Sequence, residues 1–118
     1  MIEYLEIDNL AANAVADLMV DALTGEAQTR FVNRPSKITV ALVANAVGVE
    51  LQIFAGARTI VPRSTLEAGG TTGVFPNINQ KAFSFLAAQG EVLRLIIREI
   101  AGVATTDIMA VVDSEPIA

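Results

Sequence analysis

Residues 37–61 read KITVALVANAVGVELQIFAGARTIV, two alternating runs separated by a short break. Ile38, Val40, Leu42 and Ala44 fall on one side of the first run. Val49, Leu51, Ile53 and Ala55 fall on one side of the second. Apolar residues at every second position mark a strand with one buried face. The break from Asn45 to Gly48 supplies the residue types that tolerate the positive φ of a tight turn. The pattern predicts a β-hairpin at the centre of a larger antiparallel sheet.

The same alternation recurs toward the C-terminus. In EVLRLIIREI (91–100), Leu93, Leu95 and Ile97 share one face, while Val92, Arg94, Ile96, Arg98 and Ile100 share the other. Arginines mixed with isoleucines indicate a face partly covered by another element or subunit. Residues 107–113 give a last strand, with Ile108, Ala110 and Val112 on one side. Arg58 to Val61 reads as a short strand stopped at a sheet margin by Pro62, which has no N–H for a ladder. Residues 81–88, KAFSFLAA, fit a strand or a helix, and the two-residue spacing of Phe83 and Phe85 favours the strand. With about six or seven strands and turn signals roughly every ten residues, the chain predicts an antiparallel sandwich or barrel.

The N-terminal third reads differently. MIEYLEI is an arm or a short edge strand. Asp8 and Asn9 are good N-caps for a helix over Leu10 to Leu23, with Thr24-Gly25 as its stop. Leu10, Ala14 and Leu18 lie on one face with Ala11, Val15 and Ala22 beside them. Asn9, Asn13, Asp17 and Asp21 form a narrow polar stripe. So wide an apolar surface wants more burial than one sheet face provides. The division is residues 1–35 as arm, helix and connector, and 36–118 as a β-sandwich domain.

Composition limits the chemistry. A chain of 118 residues forms one domain. Its residues are 53% hydrophobic but only 5% aromatic, so the core is aliphatic. Mean hydropathy is +0.51, yet no apolar run approaches the ~18 residues of a membrane span. The acidic start (Glu3, Glu6, Asp8) is unlike a signal peptide. The apolar surplus is best buried against other subunits.

There is no Cys and no His, which removes thiolate metal sites and the commonest general base. Glu50, Glu67, Glu91 and Glu99 are scattered, and no Gly-x-Ser-x-Gly turn occurs, so an enzyme is not expected. No cofactor is expected either. Asp17 and Asp21 lie one helical turn apart, but two carboxylates are too few oxygen ligands for Ca²⁺ or Mg²⁺. Gly69, Gly70 and Gly73 bracket Thr71 and Thr72, but Val74 and Phe75 follow where a P-loop needs Lys and Ser/Thr. The acidic chain lacks the basic stripe and interleaved aromatics of nucleic-acid binders. The irregular stretch 63–80 reads as a flexible or partner-contacting loop, with Phe75-Pro76 anchoring its far end. As a carbohydrate- or receptor-binding module it would use Thr71, Thr72, Asn77 and Asn79, with Phe75 as the only aromatic platform.

The net charge of −5 is unevenly laid out. Residues 1–27 hold Glu3, Glu6, Asp8, Asp17, Asp21 and Glu26 with no Lys or Arg. Residues 28–63 hold Arg30, Arg34, Lys37, Arg58 and Arg63 against Glu50. Such segments fold back on each other, dock on a neighbour's opposite segment, which sets register more than affinity, or are simply solvated charge on two faces. A subunit interface is therefore expected at Leu10, Ala14, Val15, Leu18 and Met19, with Arg30, Arg34, Arg58 and Arg63 meeting carboxylates across it.

The central KITVALVANAVGVELQIFAGARTIV, the FPNIN that follows, the strand EVLRLIIREI and the closing IMAVVDSEPI together resemble small β-sandwich proteins among the virion structural proteins of bacterial viruses. The resemblance covers residues 36–117. It implies a jelly-roll-like coat, vertex or decoration subunit located in the virion, forming homo-oligomers and contacting other virion proteins. It carries over no ligand and no active-site residue.

Overall fold

In the computed structural model, which describes residues 2–22, 28–78, 82–103 and 106–117, the alternating runs become strands of two antiparallel sheets. The strands are β1 (Ile2–Leu10), β2 (Val15–Asp17), β3 (Ser36–Ala44), β4 (Val49–Ala55), β5 (Arg58–Thr65), β6 (Phe83–Ala87), β7 (Leu93–Glu99) and β8 (Thr106–Pro116). One sheet runs in the order β1-β8-β3-β6 and the other β2-β7-β4-β5. Strand pairing is nested: β1 with β8, β2 with β7, β3 with β6, β4 with β5.

This order corrects the expected central hairpin. β3 pairs with β8 and β6, whereas β4 pairs with β7 and β5. Residues 45–48 carry the chain from one sheet to the other. Alternation specifies which face of a strand is buried, not which strand lies beside it, so the pattern was compatible with both arrangements. The hairpin of this region is β4–β5, closed by Gly56-Ala57. Gly56 has φ 59° at the first central position, where a two-residue II′ turn needs glycine.

The N-terminal helix is also corrected. Residues 2–10 form strand β1, and among the described residues only α1 (Leu18–Asp21), a single turn, is α-helical. Asn9 and Asn13 adopt left-handed φ of 53° and 58°, which a continuous right-handed helix excludes. Asp17 instead caps α1 by accepting from Met19 N–H at 3.0 Å, and Asp21 accepts from Asp17 N–H at 2.9 Å. The four-residue recurrence of polar residues is thus two left-handed asparagines, one at the irregular end of β1 and one in the turn before β2, and two aspartates that accept from N–H groups around α1. The expected stop at Thr24-Gly25 lies outside the described residues. Because β1 and β2 belong to the two sheets, residues 1–35 do not form an arm set apart from a sandwich of 36–118.

The inner faces meet in one apolar cluster. Leu5 and Ile7 of β1, Ile38, Val40 and Leu42 of β3, and Ile108, Ala110 and Val112 of β8 come from the first sheet. Val49, Leu51 and Ile53 of β4 and Leu93, Leu95 and Ile97 of β7 come from the second. Each fully buried Val, Leu or Ile contributes ~1.5–3 kcal/mol of transfer free energy. As composition requires, the cluster is aliphatic, with Phe85 packed at its side. β5 runs past Pro62 to Thr65. It lies at a sheet edge, where Leu51 pairs with Ser64 but Ile53 with Val61. The register slips around the proline, which sits where its missing N–H costs no inter-strand bond.

The register also defines two ends. Leu10, Ala44, Val49, Glu99 and Thr106 lie at one, and Ile2, Ser36, Ala55, Leu93 and Pro116 at the other. Among the described residues no helix is long and apolar enough to cross a membrane.

Candidate functional site

The outer face of the first sheet is half covered by its own chain. Ala41, Met109 and Val111 are 1%, 0% and 3% exposed, yet they alternate with the inward-facing residues and do not belong to the central cluster. Their cover is the segment 66–78, laid over the sheet as a strap. Its backbone is tied at Ala44, whose N–H donates to Glu67 O at 2.9 Å and whose C=O accepts from Gly70 N–H at 3.0 Å. Farther along, Gly73 N–H donates to Glu6 Oε1 at 3.0 Å. The Phe75 ring, half-buried, meets Tyr4 edge-on at 5.1 Å, which joins the strap to β1. Between strap and β3 lies a groove of about 770 Å³ lined by Ala41, Val43, Gly69, Val74, Phe75 and Asn77 among others.

At this same end a carboxylate organises three segments. Asp107 accepts from Asn9 N–H at 2.8 Å and from the Thr72 hydroxyl at 2.5 Å. Its own N–H donates to Asn45 Oδ1 at 3.0 Å. Thr72, named as a sugar-binding candidate, is therefore spent on holding the strap to β8. Thr71 and Asn77 lie exposed on the strap, and Asn79 lies outside the described residues.

Glu99 does the same for two loops. Its carboxylate accepts from the N–H groups of Asn13, Ala101, Gly102 and Val103, at 3.0, 3.0, 2.7 and 3.2 Å. The bond from Asn13, reinforced by those from the 101–103 turn, holds this carboxyl below its ordinary range.

The expected interface residues divide into three groups. Leu10, Leu18 and Met19 are buried in the chain's own core, at 5%, 0% and 0% exposed. Ala14 packs against that core, whereas Val15 is 60% exposed on the edge strand β2. Of the cations, Arg58 forms a bidentate pair with Glu91 at 2.6 and 3.0 Å and also donates to Leu86 C=O. The pairing raises the Arg58 pKa and lowers that of Glu91, the shared hydrogen bond being the largest cause of each. Arg63 pairs with Glu50. Arg30 lies over the Phe31 ring, 4.9 Å from its centroid, and Arg34 is exposed. Arg58 and Arg63 thus find their carboxylates within the chain, and Asp17 and Asp21 serve backbone N–H groups.

The outer face of the second sheet is different. Val15, Ile96 and Phe54 point outward among Arg94, Arg98, Gln52 and Glu50. The Arg94 guanidinium stacks over Phe54 at 4.7 Å, and Arg98 donates to Gln52 at 2.8 Å. The mixture of Arg and Ile read from EVLRLIIREI is this face.

No family model, no curated protein and no solved structure matches this chain.

Proposed function

We propose that this chain is a virion structural subunit, a small jelly-roll coat, vertex or decoration protein that assembles with copies of itself. The nested pairing β1:β8, β2:β7, β3:β6 and β4:β5 is the observation that carries the reading. Two four-stranded antiparallel sheets paired in this nested way support reading the chain as a long ribbon rolled up in the manner of the jelly rolls that viral capsids use. The residues that resemble virion proteins fall on β3 to β8. A fold alone does not assign a function, and the second support is the surface. Leu86 and Ile117, each more than half exposed, line one open surface pocket, and an exposed apolar patch suits a chain with neighbours.

The test is electron microscopy of the purified chain at rising concentration. Rings, sheets or closed shells support the reading, and a uniform field of single 12.4 kDa particles overturns it. Jelly rolls also build lectin domains, and the groove beside Phe75 favours a glycan-binding module as the second reading. Binding to a glycan array, lost on Asn77→Ala, would promote it.

A further inference from the structure

The two sheets differ in the charge they turn outward. On the first, Glu6, Asp113 and Glu115 point away from the core against Lys37. On the second, Arg94, Arg98 and Arg63 do so against Asp17 and Glu50. Asp17 is committed to the N–H groups of Met19 and Leu95, Glu50 and Arg63 pair with each other, and Glu6 accepts from Gly73 N–H, so Arg94 and Arg98 are the arginines that set the charge of the second face. The strap covers the end of the first face near Ala44 and leaves open the opposite end. There Asp113 and Glu115 stand near Ile2 and Leu86, which are 51% and 60% exposed. Among the described residues nothing comparable covers the second face.

From this asymmetry we propose that the open, acidic half of the first sheet docks on the arginine face of the second sheet of another copy. The inference rests on the reading of the chain as a self-assembling subunit, and it specifies the contact. Leu86 and Ile2 supply the apolar part on one side, and Val15 with the Phe54–Ile96 surface on the other. Arg94 and Arg98 then lie against Asp113 and Glu115. Because two different surfaces meet, the contact is heterologous, and repetition gives a ring, a shell or an open array rather than a closed pair.

The footprint is small. Four strands ~4.8 Å apart and about four residues deep cover roughly 19 by 13 Å, well under the ~800 Å² per partner of a standard stable interface. A single contact is therefore weak, and the assembly depends on many acting together. Electrostatic register at an exposed surface also makes it sensitive to salt, since screening shortens to about 3 Å at 1 M.

Charge reversal with exchange tests this. One variant carries Arg94→Glu with Arg98→Glu, and the other Asp113→Lys with Glu115→Lys. Each alone should fall to the mass of a single chain by light scattering. Their equimolar mixture should regain assembly, as should one chain bearing all four changes. A folding defect cannot produce that recovery. Assembly retained by either variant alone, or no recovery in both the mixture and the combined chain, overturns the contact while leaving self-assembly standing. A wild-type chain that is monomeric at all concentrations overturns both.

Discussion

Gly70 passes so close over Val43 that a Cβ at Gly70 would lie 2.9 Å from both Val43 methyl carbons, and 3.1 Å from the Met109 methyl. Its φ is not in the left-handed region, so glycine is required here for the approach rather than for the backbone conformation. Val43 is β-branched and held on a strand, and cannot swing aside cheaply.

Gly70→Ala should therefore lift the strap, at ~1–3 kcal/mol for overpacking. Urea unfolding measures the loss, and limited proteolysis should cut first within 66–78. Adding Val43→Ala removes the obstructing methyls, so the double variant should lose less than the sum of the singles. Additive losses would mean that the strap does not rest on Val43.

Leu18 and Met19 test the corrected N-terminal region. As core residues, either one replaced by Ala should cost ~2–5 kcal/mol. Val15→Ala, on the exposed edge, should stay within ~0.5 kcal/mol. Denaturant melts of the three variants give the comparison. Small effects for Leu18 and Met19 would return them to an external interface.

Asp107→Ala leaves Asn9 N–H and the Thr72 hydroxyl without their acceptor. The expected loss is ~1–3 kcal/mol, that of unsatisfied polar groups in a part-buried site. Amide exchange at Asn9 should accelerate by more than at Ile38, which lies remote from the network.

Acid should act through Glu99. Its folded pKa is lowered, so its stabilising contribution is complete above the unfolded carboxylate range near ~4.3 and is lost as pH falls through the folded value. Glu91 acts with the same sign through Arg58. Melting temperature should thus fall on acidification from pH 5 downward. Glu99→Gln should melt lower than wild type at pH 7 and show a shallower acid dependence. A variant curve parallel to that of wild type across this range would remove Glu99 from the account.

The strands were readable in the sequence because burial of one face imposes period two. β3, β4, β7 and β8 lie where Ile38–Ala44, Val49–Ala55, Leu93–Ile97 and Ile108–Val112 placed them. Their partners were not readable, since an Asn-to-Gly break serves a hairpin and a crossing between sheets equally well. The N-cap residues, the apolar face and the four-residue polar stripe read as a helix over Leu10–Leu23, but pairing of Leu10 with Thr106 and the left-handed asparagines prevailed. The Arg and Ile mixed along β7 led to the expectation of a partly covered face, whereas among the described residues no other element lies over it, and Arg94 is exposed while Ile96 and Arg98 are half-buried. The strap's local signals were its glycines and the Phe75-Pro76 pair, and neither says that the segment folds back over its own sheet. Its need for close approach depends on Val43 and Met109, which are distant in sequence.

The mass of the wild-type chain by light scattering, over a concentration series at low salt and again near 1 M, tests the central claim most directly. A mass that climbs in multiples of 12.4 kDa with concentration, and falls back in high salt, is the predicted result. A single-chain mass at every concentration and both salts would contradict an assembling subunit.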